Sequence, residues 1–282
     1  EGGPEPAGAD CVFRRKKTNA ASSRTRPGVV SLEEWLLTKP QPVLPSPIPI
    51  PPFPETLPMN IVVWSDIACP FCYIAGTRVR RALKALHAED LFTIERKSYE
   101  LSPQITVSEP CLSFYAKKMD VTEEDIAPGL RKIEREAAKD GLVFHYDRAI
   151  AANTFNAHRL VKYAAAHGVP DMLDRLFEAH FRDGLDVGSR DVLEELARRE
   201  GLSAGFLDTE QYAAEVRGDE EEAKKLGIRL VPHFIIDGKL TYKGALSQDY
   251  MTGVFRNIIQ KNNLLPPEGK GITCGPDGCT LG

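Results

Sequence analysis

The stretch Asn60-Ile61-Val62-Val63-Trp64-Ser65-Asp66-Ile67-Ala68-Cys69-Pro70-Phe71-Cys72 decides how the whole chain is read. Its apolar, β-branched start predicts a strand, which stops at Ser65-Asp66. Two cysteines three residues apart follow. Behind them Val79, Leu83 and Leu86 recur at helical spacing, with Arg78, Arg80, Arg81 and Lys84 as the polar face of a helix predicted over 70–88. Pro70 suits the first helical position, where its missing N–H costs nothing. A strand therefore delivers a dithiol to a helix N-terminus.

That placement has a chemical consequence. A helix N-terminus carries roughly half a positive charge and unpaired N–H groups, so a thiol there is expected to ionise below the ordinary value of about 8.5. Cys69 is the predicted nucleophile. Cys72, one turn further in and expected to be more buried, would attack the mixed disulfide and release the substrate thiol. The same spacing is half of a zinc site, and paired cysteines can be plain core; the strand before, Pro70 and the helix after favour the redox reading, and no metal ligand is assigned.

Upstream, residues 1–58 hold 12 of the chain's 21 prolines, and Pro45-Ser46-Pro47-Ile48-Pro49-Ile50-Pro51-Pro52 predicts an extended, disordered arm rather than part of a core. Within it Ser31-Leu32-Glu33-Glu34-Trp35-Leu36-Leu37 predicts one short helix, with Ser31 as cap and Glu34 completing a capping box. Arg14-Arg15-Lys16-Lys17 reads as a solvated tail, with an organelle-targeting or partner-binding arm as the alternative. No apolar leader core is present, so the expected setting is cytoplasmic. A net charge of −4 and a pI near 5.9 give no reason to expect nucleic acid as a partner, and no apolar run is long enough to predict a membrane span.

Downstream, Phe92-Thr93-Ile94-Glu95-Arg96-Lys97-Ser98-Tyr99 predicts a second strand, so residues 60–100 form a βαβ unit with a parallel pair. Residues 112–226 then show helical periodicity with no strand candidate. Pro128 is expected to kink or restart one helix, Ser189 to cap another, and Gly141, Gly168, Gly184, Gly201 and Gly227 to mark ends. Asp219-Glu220-Glu221-Glu222 reads as a solvated helix face. His233-Phe234-Ile235-Ile236, Asp237-Gly238 and Lys239-Leu240-Thr241-Tyr242-Lys243 predict a hairpin. A last helix follows over about 247–260, with Tyr250, Val254 and Ile258 on one face. The order is that of an α/β, thioredoxin-like fold interrupted by an all-helical insertion domain. We assign 59–111 and 227–265 to the thioredoxin-like part, 112–226 to the insert and 266–282 to a tail.

Three separated segments carry a family resemblance: Ser65-Asp66-Ile67-Ala68-Cys69-Pro70-Phe71-Cys72-Tyr73; Asn153-Thr154 with Ala157-His158-Arg159-Leu160; and Leu230-Val231-Pro232 with Phe234, Asp237-Gly238 and Gly244-Ala245. Together they resemble the DsbA-like thioredoxin-fold oxidoreductases, in particular the FrnE subgroup, over roughly 59–265. The resemblance implies a thiol–disulfide oxidoreductase acting on protein substrates, with no bound cofactor beyond its dithiol and glutathione or a reductase as electron partner. It implies that Cys69 and Cys72 are the redox pair, that Pro232 is a cis-proline beside them, and that Val231 offers backbone hydrogen bonds to an extended substrate. His233 is a candidate for proton transfer, set against a plain strand histidine. Asn153 and His158 are candidates to face the dithiol, set against a capping Asn and a packed His.

The tail holds a second dithiol, Cys274-Gly275-Pro276-Asp277-Gly278-Cys279, whose glycines and proline let the chain turn back. Similar pairs occur in FrnE-type proteins, which implies a relay exchanging disulfides with the main site; a structural clip or two exposed thiols are the alternatives. Cys111 reads as a structural thiol and Cys11 as an unpaired one. Two further classes stay open: the glutathione-dependent kappa-class transferases and hydroxychromene-carboxylate isomerases, which have serine where Cys69 stands, and a non-enzymatic redox sensor or metal-binding module.

Overall fold

The computed structural model describes residues 58–264 and the backbone of 272–275 and 278–281. The proline-rich arm before Pro58, with its expected helix, basic cluster and Cys11, lies outside the described residues. In chain order the elements begin with β1 (Met59–Ser65), α1 (Pro70–Ala85) and β2 (Phe92–Ser98). The insert follows as β3 (Glu109–Pro110), α2 (Cys111–Met119), α3 (Glu123–Lys139), β4 (Ile150–Ala151), α4 (Phe155–Ala166), α5 (Met172–Phe177) with a π-helical turn at Glu178–Arg182, α6 (Arg190–Arg199) and α7 (Ala213–Lys225). Then come β5 (His233–Ile236), β6 (Leu240–Lys243), α8 (Gln248–Lys261) and a hairpin of β7 (Ile272–Gly275) and β8 (Gly278–Leu281).

β1 lies inside a four-stranded sheet of order β2-β1-β5-β6. It runs parallel to β2, from Met59 opposite Phe92 to Ser65 opposite Ser98, and antiparallel to β5, with Trp64 opposite His233. The alternation along β1 sorts its side chains. Ile61 and Val63 join Val79, Leu83 and Phe255 of α1 and α8 on one face, whereas Val62 and Trp64 meet Ala223 of α7 and Ile228 on the other. The insert therefore roofs one face of the sheet. At the β5–β6 turn Asp237 (φ 52°) and Gly238 (φ 64°) both take the left-handed conformation that a tight hairpin needs.

The redox helix itself reaches into the insert. Tyr73 of α1 stacks on Phe177 at 4.8 Å, Phe144 stacks on Phe181 at 4.4 Å, and Cys69 and Cys72 belong to the same apolar cluster. Gly184 is required where this core closes: its φ is 68°, and a Cβ there would stand 2.8 Å from the Arg148 carbonyl oxygen.

The structure departs from several local expectations. α1 ends at Ala85, because His87 turns left-handed (φ 49°) and leads the chain into β2. The helix carrying Pro128 runs unbroken over Glu123–Lys139; Thr122 caps it, accepting from Asp125 N–H while Asp125 accepts from Thr122 N–H. Ser189 stands at a helix start without making a side-chain cap. A short β3–β4 pairing interrupts the helical block, with Pro110 opposite Ile150. The buried face of α8 is Met251, Phe255 and Ile258; Tyr250 is exposed. Nor is the acidic stretch simply solvated: Asp219 is buried and accepts from the Ser98 backbone N–H at 2.8 Å.

Candidate active site

The dithiol takes its position from backbone bonds at the β1–α1 junction. Cys69 N–H donates to the Asp66 carbonyl at 3.1 Å and Cys72 N–H to the Cys69 carbonyl at 3.1 Å. Cys69 is the N-cap residue of α1 and Pro70 its first helical residue, so the sulfur of Cys69 sits at the positive end of the helix. Across from it the Val231–Pro232 peptide bond is cis, and the Val231 carbonyl lies 3.6 Å from Cys69 Sγ. Cys69, Cys72 and Cys111 are all thiols.

Burial does not separate the two partners as expected: Cys69 is 4% exposed and Cys72 3%. What separates them is environment. Burial pushes the Cys72 thiol well up, and its hydrogen bond with Cys69 and the Cys69 charge push it the same way. Cys111 is pushed up to about 12 by burial, so it stays protonated and unreactive near neutral pH.

Beneath the dithiol lies a polar group of residues. Asp66 is fully buried; its Oδ1 accepts from Ala68 N–H at 3.2 Å and its Oδ2 from Leu101 N–H at 2.7 Å. His158 Nε2 stands 3.4 Å from Asp66 Oδ1. Burial alone would raise the Asp66 carboxyl, but the neighbouring His158, with Leu101 N–H and Thr154, holds it below its ordinary value. Glu100, buried at the end of β2, is raised by burial and steadied by Arg217 Nη1 at 2.6 Å. On the other side His180, pushed down to about 4 by burial, shares a cavity of about 110 Å³ with Asp66, Thr154, Cys111 and Tyr115.

Of the residues singled out from sequence, Cys69, Cys72, Val231, Pro232 and His158 come together. Asn153 does not reach the dithiol; it bridges the Pro103 carbonyl and Phe155 N–H, as a capping residue would. His233 is buried in the sheet, edge-on to Trp64 at 6.2 Å, and no hydrogen bond joins it to the cysteines. The sequence assigns no chemistry to Asp66, Glu100 or His180, although Asp66 stands three residues before Cys69 in the first of the segments that carry the resemblance. Cys274 and Cys279 face each other across the β7–β8 hairpin by backbone register. Among the described residues no three His, Cys, Asp or Glu side chains gather as a metal site, and no helix is long and apolar enough to cross a membrane.

Residues 60–255 match the DSBA-like thioredoxin domain. The chain belongs to the DsbA-like family. A probable DsbA oxidoreductase from Streptomyces coelicolor is 32% identical to this DsbA-like chain, with 79% of the chain and 99% of that structure covered at a TM-score of 0.67. An uncharacterized Bacillus subtilis protein, YwbO, is 29% identical over 201 residues, 68% of this chain and 92% of its own. The cytosolic disulfide reductase DsbM of Pseudomonas aeruginosa shares the fold, with 18% identity, 72% and 99% coverage and a TM-score of 0.51. The DsbA-like fold is thus a thioredoxin-type sheet with a helical insertion, and the family is one of thiol–disulfide oxidoreductases.

Proposed function

We propose that this DsbA-like protein reduces or isomerises disulfides in protein substrates through Cys69 and Cys72. The observation that carries the reading is Cys69 Sγ at the N-terminus of α1 and 3.6 Å from the Val231 carbonyl beside Pro232. The Cys69 thiolate attacks one sulfur of a substrate disulfide, forming a mixed disulfide and releasing the other sulfur as a thiolate that takes up a proton. The Cys72 sulfur then attacks Cys69 Sγ, the intramolecular disulfide forms, and the second substrate thiol leaves. Two electrons pass from the dithiol to the substrate. Two glutathione molecules, or a protein reductase, return them; a DsbM structure with GSH supports glutathione as the donor.

Substrate docking in this reading uses a groove of about 540 Å³ lined by Phe71, Ile133, Lys132, Glu136, Gly244 and Ala245. Phe71 is 41% exposed and Leu230 67%, so apolar surface borders the dithiol from two sides. In this reading the tail dithiol, Cys274 opposite Cys279 in the β7–β8 backbone register, passes disulfides to and from the main site, as the resemblance to the FrnE subgroup implies.

Equilibration in glutathione buffers and turnover of a disulfide-bonded protein test the reading. Cys69→Ser is expected to abolish turnover and mixed-disulfide formation, and Cys274→Ser/Cys279→Ser to slow recycling alone. Turnover by Cys69→Ser at the parent rate would move the assignment to glutathione-dependent or non-enzymatic readings.

A further inference from the structure

A second cavity, of about 510 Å³, opens between the end of β2 and the C-terminal half of α7 and has no part in the reading above. Its lining runs straight into the dithiol site. Ile228 and Arg229 lead through Leu230 to Val231, whose carbonyl lies 3.6 Å from Cys69 Sγ, while Tyr99 and Glu100 lead to Leu101, whose N–H is held by Asp66. Two residues of chain span at most about 7 Å, so the Arg229 Cα stands within that distance of the Val231 Cα.

The floor of this cavity is built, and one acceptor in it is unused. The Glu100 side chain is 1% exposed; its Oε2 accepts from Arg217 Nη1 at 2.6 Å, and its buried Oε1 has no hydrogen-bond partner among the described residues. Arg217 is fixed a second time by Glu220 Oε2 at 2.7 Å, and its guanidinium carbon lies 4.0 Å from the centre of the Phe155 ring. Glu220 Oε1 accepts from Glu100 N–H at 3.2 Å. Both carboxylates are therefore committed to Arg217 and to the backbone. At the rim Lys224 and Arg229 are exposed, and neither makes an ion pair among the described residues. The chain as a whole carries a net charge of −4, so two uncommitted cations over a fixed floor are a local exception to it.

We propose that this cavity takes the acidic side chain, Asp or Glu, of a protein substrate two or three residues from the cysteine under attack, with Lys224 and Arg229 as the specificity-determining residues. This rests on the reading of Cys69 as the nucleophile toward protein disulfides. An extended polypeptide advances about 3.3 Å per residue, so a substrate whose sulfur meets Cys69 Sγ and whose backbone follows Leu230-Val231 brings its next residue but one alongside Arg229. The carboxylate meets Lys224 and Arg229, its methylene stem lies against Tyr99 and Ile228, and Glu100 Oε1 offers an acceptor to a backbone N–H of the segment. Burial raises the Glu100 carboxyl, which lessens its repulsion of an incoming anion.

The test uses the full chain with glutathione as reductant and symmetric disulfide dimers of short Gly/Ser peptides. Each peptide has one central cysteine and Glu, Gln or Lys placed two residues before it or two residues after it. At pH 7 and about 20 mM salt, kcat/KM is expected to favour Glu over Lys by about ten-fold at one of the two positions, and the ratio to shrink towards one at about 0.5 M salt. Lys224→Glu/Arg229→Glu should invert the ratio, and Lys225→Glu, next along the chain but outside the cavity, should leave it in place. Lys224→Gln/Arg229→Gln, expected to level the ratio, serves if the charge reversal does not fold by circular dichroism. Peptides reduced without discrimination at either position, or a Glu preference that survives in the double variants, overturn this inference alone. No turnover of any peptide, the Gln one included, overturns the oxidoreductase reading and this inference with it.

Discussion

Asp219 and Asp66 are both buried carboxylates, and their partners set them apart. Asp219 Oδ2 accepts from Ser98 N–H at 2.8 Å and from Lys162 Nζ at 2.5 Å, while its carbonyl accepts from Trp64 Nε1 at 3.0 Å. Its Oδ2 and its carbonyl are thus engaged by groups from β1, β2 and α4, so the residue holds the insert to the sheet. Asp66, by contrast, keeps one oxygen toward a histidine with which it makes no well-formed hydrogen bond. Asp219→Ala would leave Ser98 N–H without a partner and the Lys162 ammonium with only the Arg96 carbonyl, at a cost of roughly 2–4 kcal/mol. Urea unfolding measures this; a loss under about 0.5 kcal/mol would mean that water replaces the carboxylate freely. Nothing in Asp219-Glu220-Glu221-Glu222 distinguishes the first carboxylate from the other three. What singles it out is Ser98, more than a hundred residues earlier, and periodicity carries no information about such pairings.

At the level of elements, the strand, the dithiol and the helix start were legible because local chemistry decides them. The β-branched run Ile61-Val62-Val63 can alternate across a sheet, and Pro70 is tolerated where a helix begins. The glycines after α3, α4 and α6 stop helices for the same local reason: Gly141, Gly168 and Gly201 all have positive φ. The unbroken helix through Pro128 was not legible, because its support is tertiary. Arg78 of α1 donates from Nε to Asp140 at 2.8 Å, from Nη2 to Glu136 at 2.9 Å and from Nη1 to the Ala245 carbonyl at 3.1 Å. One planar guanidinium thus clamps the redox helix, the C-terminal end of α3 and the segment before α8, which together wall the groove beside Phe71. A lysine cannot reproduce three fixed directions. Arg78→Lys is expected to destabilise the fold by about 2 kcal/mol and to lower hydrogen-exchange protection over 123–139 more than over β1. Equal loss of protection in both would show that Arg78 supports the molecule generally rather than this junction.

For the molecule as a whole, the site's burial has a consequence in pH. His180 is neutral in the folded protein because burial pushes it down to about 4, against an ordinary 6.5. Between those values the unfolded chain binds a proton that the folded one refuses, so stability is intact above about pH 6.5 and falls as pH drops towards 4. His233, lowered by burial and by Lys243, adds to the loss in the same direction. Asp66 acts in a different window: its folded carboxyl lies below the ordinary 3.8, so its contribution persists down to that value and disappears only at lower pH. The two histidines therefore weaken the fold in the first acid interval, where the raised Glu100 acts in the opposite sense, and Asp66 joins Asp183 in the second. Unfolding free energies from urea titrations between about pH 7 and pH 4.5 should decline, by up to about 1.4 kcal/mol per pH unit for each proton taken up. His180→Gln removes one titrating group and should flatten that decline while leaving the behaviour below pH 3.8 in place. A wild-type curve already flat over that interval would mean that water reaches His180 through the neighbouring cavity, and the sealed polar floor beneath the dithiol would then be open to solvent.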